Sequence, residues 1–142
     1  MKNLLPKKLS DCIDVALKDL DDAKKLGFKV DMGRWYSRGE KTCTVCLAGA
    51  VLAREFDLDE FEEVGPTTLY DSDGLITEHD AERLHALNQL RGGNINEALH
   101  MVGRSKFFSP PDIDTQSTGN MDTKQWRKDM SNIRDYLRKL GL

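Results

Sequence analysis

Two cysteines three positions apart, Cys43-x-x-Cys46, are the first residues whose type and spacing could do chemistry. At the start of a helix such a pair becomes a redox couple, because the helix dipole favours thiolate. With Cys12 and a histidine, His85, as further ligands it becomes a zinc site. The sequence holds no second C-x-x-C and no H-x-x-x-H to complete a familiar ligand set, and Thr44-Val45 is not the usual redox dipeptide. Cysteine is also a common small core residue. The plainer expectation is therefore reduced core thiols and no cofactor, with zinc on Cys12, Cys43, Cys46 and His85 as the alternative.

Three further patterns could hold metals or bases. Glu82-x-x-His85 and Glu97-x-x-His100 match the i, i+3 spacing of di-iron bundles. Glu82, however, falls nearly opposite Leu84 and Leu87 on a helical wheel and is expected in solvent, while Glu97 is expected to serve as a cap partner. Asp71-Ser72-Asp73-Gly74, with Asp80 later, resembles the middle of a calcium loop. Its first ligand position falls on Leu69, so an aspartate-rich turn explains it more simply. No G-x-S-x-G, phosphate loop or convincing Cys–His pair is present, and His79, His85 and His100 all fall on expected helices. The chain carries no catalytic constellation, and the expectation is a binding protein rather than an enzyme.

For binding, the acidic residues Glu55, Asp57, Asp59, Glu60, Glu62, Glu63, Asp71 and Asp73 and the aromatic pair Phe107-Phe108 are the candidates. Residues 54–81 carry one basic and ten acidic groups, between two mildly basic flanks. Such a run is commonly a solvated face, but its field also steers a basic partner. The final helix carries Lys124, Arg127, Lys128, Arg134, Arg138 and Lys139, interleaved with Asp129 and Asp135. That face could touch phosphates; a solvated surface is the plainer expectation, and a nucleic-acid modulator the second alternative.

The elements that must position these groups are helical. Leu9, Ile13, Ala16, Leu17, Leu20 and Ala23 follow one helix face, with Ser10 as N-cap and Gly27 as stop. Residues 28–42, with Trp35 and Tyr36, read as a loop folded back on the core, with a short β-like turn. Residues 43–56 are apolar on every side from Val45 to Ala53, which predicts a central helix enclosed by the others. Thr77 caps a helix over 78–91. Asn94 and Glu97 form a capping-box-like start to a short helix that Gly103 closes. Residues 104–121 form a long loop, and Asp122 or Thr123 caps a last helix whose stripe is Trp126, Met130, Ile133, Leu137 and Leu140. The expected architecture is one all-α domain over residues 1–142, a bundle of about five helices in which those at 9–26 and 123–140 pack around the one at 43–56.

The composition excludes some classes. The 142 residues carry a formal charge of −3, so a global basic footprint for nucleic acid is missing. No apolar run is long enough for a membrane span, residues 1–6 lack the apolar core of a signal peptide, and three cysteines suggest thiols kept reduced in a cytoplasm. At residues 43–51, C-T-V-C-L-A-G-A-V preceded by Trp35, the chain resembles small uncharacterised proteins of bacteriophages and prophages. In those proteins a Trp-containing loop leads into a Cys-x-Val-Cys-Leu-x-Gly-Ala helix. Residues 86–93, A-L-N-Q-L-R-G-G, are similar to their later A-L-x-x-L-R-x-G segment. The resemblance spans residues 30–100 and carries over no catalytic or binding residue. It implies a phage accessory protein acting in the host bacterial cytoplasm by binding a host protein, and among the roles open to such proteins is inhibition of a defence system.

Overall fold

Leu9, Cys12, Ile13, Ala16, Leu20 and Ala23 recur at helical spacing, and in the computed structural model they form the buried face of α1 (Leu9–Lys25). The structure describes residues 3–31, 35–38, 43–55, 63–64, 76–103 and 122–142. Four more helices follow among these residues: α2 (Leu47–Glu55), α3 (Glu78–Leu90), α4 (Ile95–Met101) and α5 (Lys124–Lys139). The fold is of the all-α class that the hydrophobic periodicity predicts. α1 packs against α2, α3 and α5, so the last helix docks on α1 rather than chiefly around the segment at 43–56 as expected, and α3 and α4 form a helical hairpin. Among the described residues all the buried apolar side chains but Ala81 form a single cluster that runs from Leu5 to Leu137.

The helix ends show which local signals prevail. Thr77 and Thr123 cap α3 and α5 as expected, their hydroxyls accepting from the Asp80 and Trp126 N–H groups at 3.1 Å. Gly27, Gly93, Gly103 and Gly141 follow helices with positive φ, the conformation that side chains resist. Ser10 is not the N-cap of α1. The Cys12 N–H donates to the Lys8 carbonyl at 3.0 Å, so Leu9 is already helical and Ser10 is buried in the first turn. Burial of Leu5 and Leu9 overrides the local cap preference. Asn94 occupies the cap position of α4 without a side-chain cap bond; its amide donates to Gln89 Oε1 instead, and Glu97 is exposed, so no capping box forms.

The segment expected as a helix from Cys43 divides in two. Cys43–Val45 is strand β3, and the helix begins at Leu47. The expected β-like turn near 28–42 supplies the partners. β1 (Lys29–Val30) pairs with β3 in parallel and β2 (Tyr36–Arg38) pairs with it antiparallel. β4 (Glu63–Val64) pairs antiparallel with β2, giving the order β1-β3-β2-β4. With neighbours on both sides, the backbone of the β-branched Thr44-Val45 pair satisfies its hydrogen bonds better as a strand. Trp35 and Tyr36 do fold back on the core, where Tyr36 is fully buried and Trp35 nearly so.

From Leu47 to Leu52 every residue of α2 is buried, as an all-round apolar helix requires. Its start is fixed by Cys46, whose Sγ accepts from the Gly49 N–H and whose own N–H donates to the Trp35 carbonyl at 3.2 Å. Gly49 lies directly on that strand entrance: a Cβ there would fall 1.5 Å from the Trp35 carbonyl oxygen. The N-terminal segment is strapped to α3. The Leu4 and Leu5 N–H groups donate to the two oxygens of the buried Asp80 carboxylate at 2.9 and 3.1 Å. His79 Nε2 donates to the Leu5 carbonyl at 2.9 Å, and Arg83 grips the Lys7 carbonyl with two nitrogens.

Candidate functional site

Two of the three thiols, Cys12 and Cys46, are buried core groups. Cys12 donates to the Pro6 carbonyl at 3.2 Å, and burial pushes its pKa up to about 12, with Arg83 opposing. Burial likewise pushes Cys46 up to about 11 against the hydrogen bond from Gly49. Cys43 is half-buried on β3, 3.5 Å from the Tyr36 hydroxyl. His85 packs edge-on against the Trp35 ring at 5.4 Å between centroids. Cys12, Cys43, Cys46 and His85 are therefore held on separate neighbours. Among the described residues no three His, Cys, Asp or Glu side chains gather to hold a metal ion. The two E-x-x-H motifs also diverge: Glu82 is partly exposed beside Arg83, and Glu97 and His100 are exposed.

The basic face of α5 is engaged with α1. Arg134 and Arg138 donate to Asp14 at 2.9 Å each, Arg138 also reaches Asp11, and Arg127 joins Asp21 to Asp122, which Lys24 also grips. Burial alone would raise the Asp14 and Asp122 carboxyls, but the arginine and lysine hydrogen bonds win and hold both below the usual carboxylate range. Three of the six cations expected on that face are thus neutralised within the protein. Among them, Lys124, Lys128 and Lys139 stand exposed on α5.

Of the sequence candidates for partner binding, Asp57, Asp59, Glu60, Glu62, Asp71, Asp73, Phe107 and Phe108 lie outside the described residues. Glu63 is placed only through its backbone in β4. Glu55 ends α2 and is exposed.

The most unusual described group is one the sequence analysis passed over. Asp19 lies on the buried stripe of α1, in line with Cys12, Ala16 and Ala23, and is only 5% exposed. Its signal was legible: a carboxylate at i, i+4, i+7, i+11 spacing with small apolar residues has to enter the core. Arg54 Nε approaches Asp19 Oδ2 to 3.2 Å, yet the geometry is not that of a hydrogen bond, and Oδ2 is buried without one. The Arg54 terminal nitrogen instead donates to the Leu4 carbonyl at 2.8 Å. Burial therefore prevails over the Arg54 charge, and the Asp19 pKa rises to about 6. Beside it opens a groove of about 210 Å³ between the C-terminal halves of α1 and α2, lined by Asp19, Asp22, Ala23, Leu26, Ala50, Ala53 and Arg54. A second cavity of about 250 Å³ lies between Lys7, Lys8, Arg83 and the chain end at Leu142.

Fold and site together define a helical protein with two buried thiols and a half-buried third, an internally neutralised α1–α5 seam and an acid-backed groove. No protein-family model, curated protein or solved structure matches the chain.

Proposed function

We propose that this chain is a bacteriophage accessory protein that acts in the bacterial cytoplasm by binding a host protein, with antagonism of a defence system as its role. The acidic run meets the partner, and the aromatic pair Phe107-Phe108 adds apolar anchorage. One observation carries this reading: where the protein's cations go. From Glu55 to Glu82 the sequence has no Lys or Arg. The cation before that run, Arg54, is turned to Asp19 and the Leu4 carbonyl and within the run reaches only Glu55, at 3.8 Å, among the described residues. The arginines of α5 are bound to α1 and Asp122. Among the described residues these arginines are thus engaged with carboxylates and carbonyls of α1, Asp122 and the N-terminal segment, and a run of one sign steers and selects a partner of the other. The same pairing weakens a nucleic-acid role, since Arg127, Arg134 and Arg138 already have carboxylate partners.

The experiment is capture from bacterial lysate by the wild-type chain and by a variant with Asp57→Asn, Asp59→Asn, Glu60→Gln and Glu63→Gln. The expected outcome is one basic partner held by the wild type, released by moderate salt and lost with the variant. Equal capture by both chains refutes the reading.

A further inference from the structure

The groove between α1 and α2 has three properties that a packing defect would not combine. Its back wall is a carboxylate, Asp19, one oxygen of which is buried with no hydrogen bond. Its floor is built from small side chains, Ala23, Ala50 and Ala53. At its rim stands Leu26, 78% exposed, the most exposed large apolar side chain among the described residues. A buried polar atom without a hydrogen bond is costly; among the described residues Ser10, Trp35 and Asp129 carry one as well, and Asp19 is the one of the four that lines this groove.

The electrostatics select the sign of an occupant. Asp19 and Asp22 face the groove against the single guanidinium of Arg54, and the remaining charges acting on Asp19 are Lys18 and Glu55, which offset each other. Asp22 and Ala23 of α1 and Ala53 and Arg54 of α2 lie in the last turns of their helices, the negative ends of two helix dipoles. We propose that this groove is a receptor for a lysine side chain presented by a protein partner. Its ammonium approaches the Asp19 carboxylate from the groove side as a second cation beside Arg54, and its four-carbon stem lies along Ala23, Ala50 and Ala53 under Leu26. Lysine fits better than arginine, because a guanidinium binds best to both oxygens of a carboxylate. Here Oδ2 already has Arg54 against it. A compact ammonium asks for less. The high pKa of Asp19 agrees with a carboxylate awaiting a cation. This inference rests on the binding role proposed above and sharpens it, since the groove immediately precedes the acidic run in sequence and names the group that docks.

The test is titration of the isotope-labelled full chain with N-acetyl-lysine-N-methylamide, and with the neutral N-acetyl-norleucine analogue, followed by amide chemical shifts. The expected result is saturable shifts confined to the amides of Asp19, Asp22, Ala23, Ala50 and Ala53, with the norleucine analogue bound at least roughly tenfold more weakly. Asp19→Asn should weaken the lysine probe by a similar factor. Ala53→Leu, at a half-buried position, fills the groove while sparing the carboxylate, and should abolish the shifts with the rest of the spectrum unchanged. Absence of saturable shifts, equal binding of the two analogues, or full binding by Ala53→Leu overturns the proposal. The titration uses neither the acidic run nor a lysate. Failure of the capture experiment with intact lysine binding would therefore remove the partner reading alone, and the converse would remove the groove alone.

Discussion

Gly49→Ala tests the tightest contact in the fold. In an exposed helix interior the change would stabilise by about 1 kcal/mol, because alanine is the better helix former. Here the new Cβ would lie 1.5 Å from the Trp35 carbonyl oxygen and 2.5 Å from its carbon, and both are backbone atoms that cannot rotate aside. The strand entrance and α2 must part by roughly 1.5 Å or more to restore a normal contact. That movement breaks the bond from the Cys46 N–H to the same carbonyl, which is 3.2 Å long. Overpacking costs ~1–3 kcal/mol, and a buried backbone pair left apart costs ~1–3 kcal/mol more. Set against the helix gain, the net is ~3 kcal/mol of destabilisation, a fall of roughly 10 °C in Tm for a chain of this size. Thermal and urea unfolding followed by circular dichroism at 222 nm read it directly. Gly92→Ala is the control, since its Cβ would meet only ordinary contacts at 3.7 Å and beyond; its Tm should hold or rise slightly. If Gly49→Ala is as stable as the wild type, the close approach of Trp35 to α2 is wrong, and with it the origin of the β3–α2 boundary.

Three other outcomes follow from named groups. Asp19 has a folded pKa raised to about 6 from 3.8, so the stability it contributes is full below pH 4 and is lost as pH rises through 6; Asp19→Asn should flatten the pH dependence of Tm between 4 and 7, and an unchanged slope counts against the buried carboxylate. A thiol reagent should label Cys43 in the native protein while Cys12 and Cys46, pushed up to about 12 and 11 by burial, react only on unfolding; mass spectrometry of the labelled peptides decides, and early reaction at Cys46 would reopen the redox reading. Asp80→Ala removes the acceptor for two backbone N–H groups and should cost ~2–4 kcal/mol, with hydrogen exchange at Leu4 and Leu5 accelerating well before that of α5.

The helices were legible because their periodicity and end signals agree. The α1 stripe, the Thr77 and Thr123 caps and the glycines after α1, α3, α4 and α5 each act within a few residues of the helix they shape. What the sequence hides is decided at a distance. β3 exists because β1 and β2 flank it, and no local property of Cys43-Thr44-Val45 announces both neighbours. Ser10 loses the cap to the burial of Leu5 and Leu9, and Leu140, placed on the apolar stripe of α5, is 41% exposed because the chain turns at Gly141. The α5 cations looked solvated because their aspartate partners lie on α1, more than a hundred residues earlier. Asp19 is inconspicuous for another reason: it belongs to no charged run, yet a single carboxylate within an apolar stripe is the more informative pattern.

The seam between the first and last helices also bears on how the chain acquires its shape. Its bonds join residues 106 to 127 positions apart, so closing it comes at the entropic end of the contact-order scale. During synthesis α1 leaves the ribosome with its partner helix still untranslated. Its aspartates in the seam then carry their charge unneutralised by arginine until α5 is made.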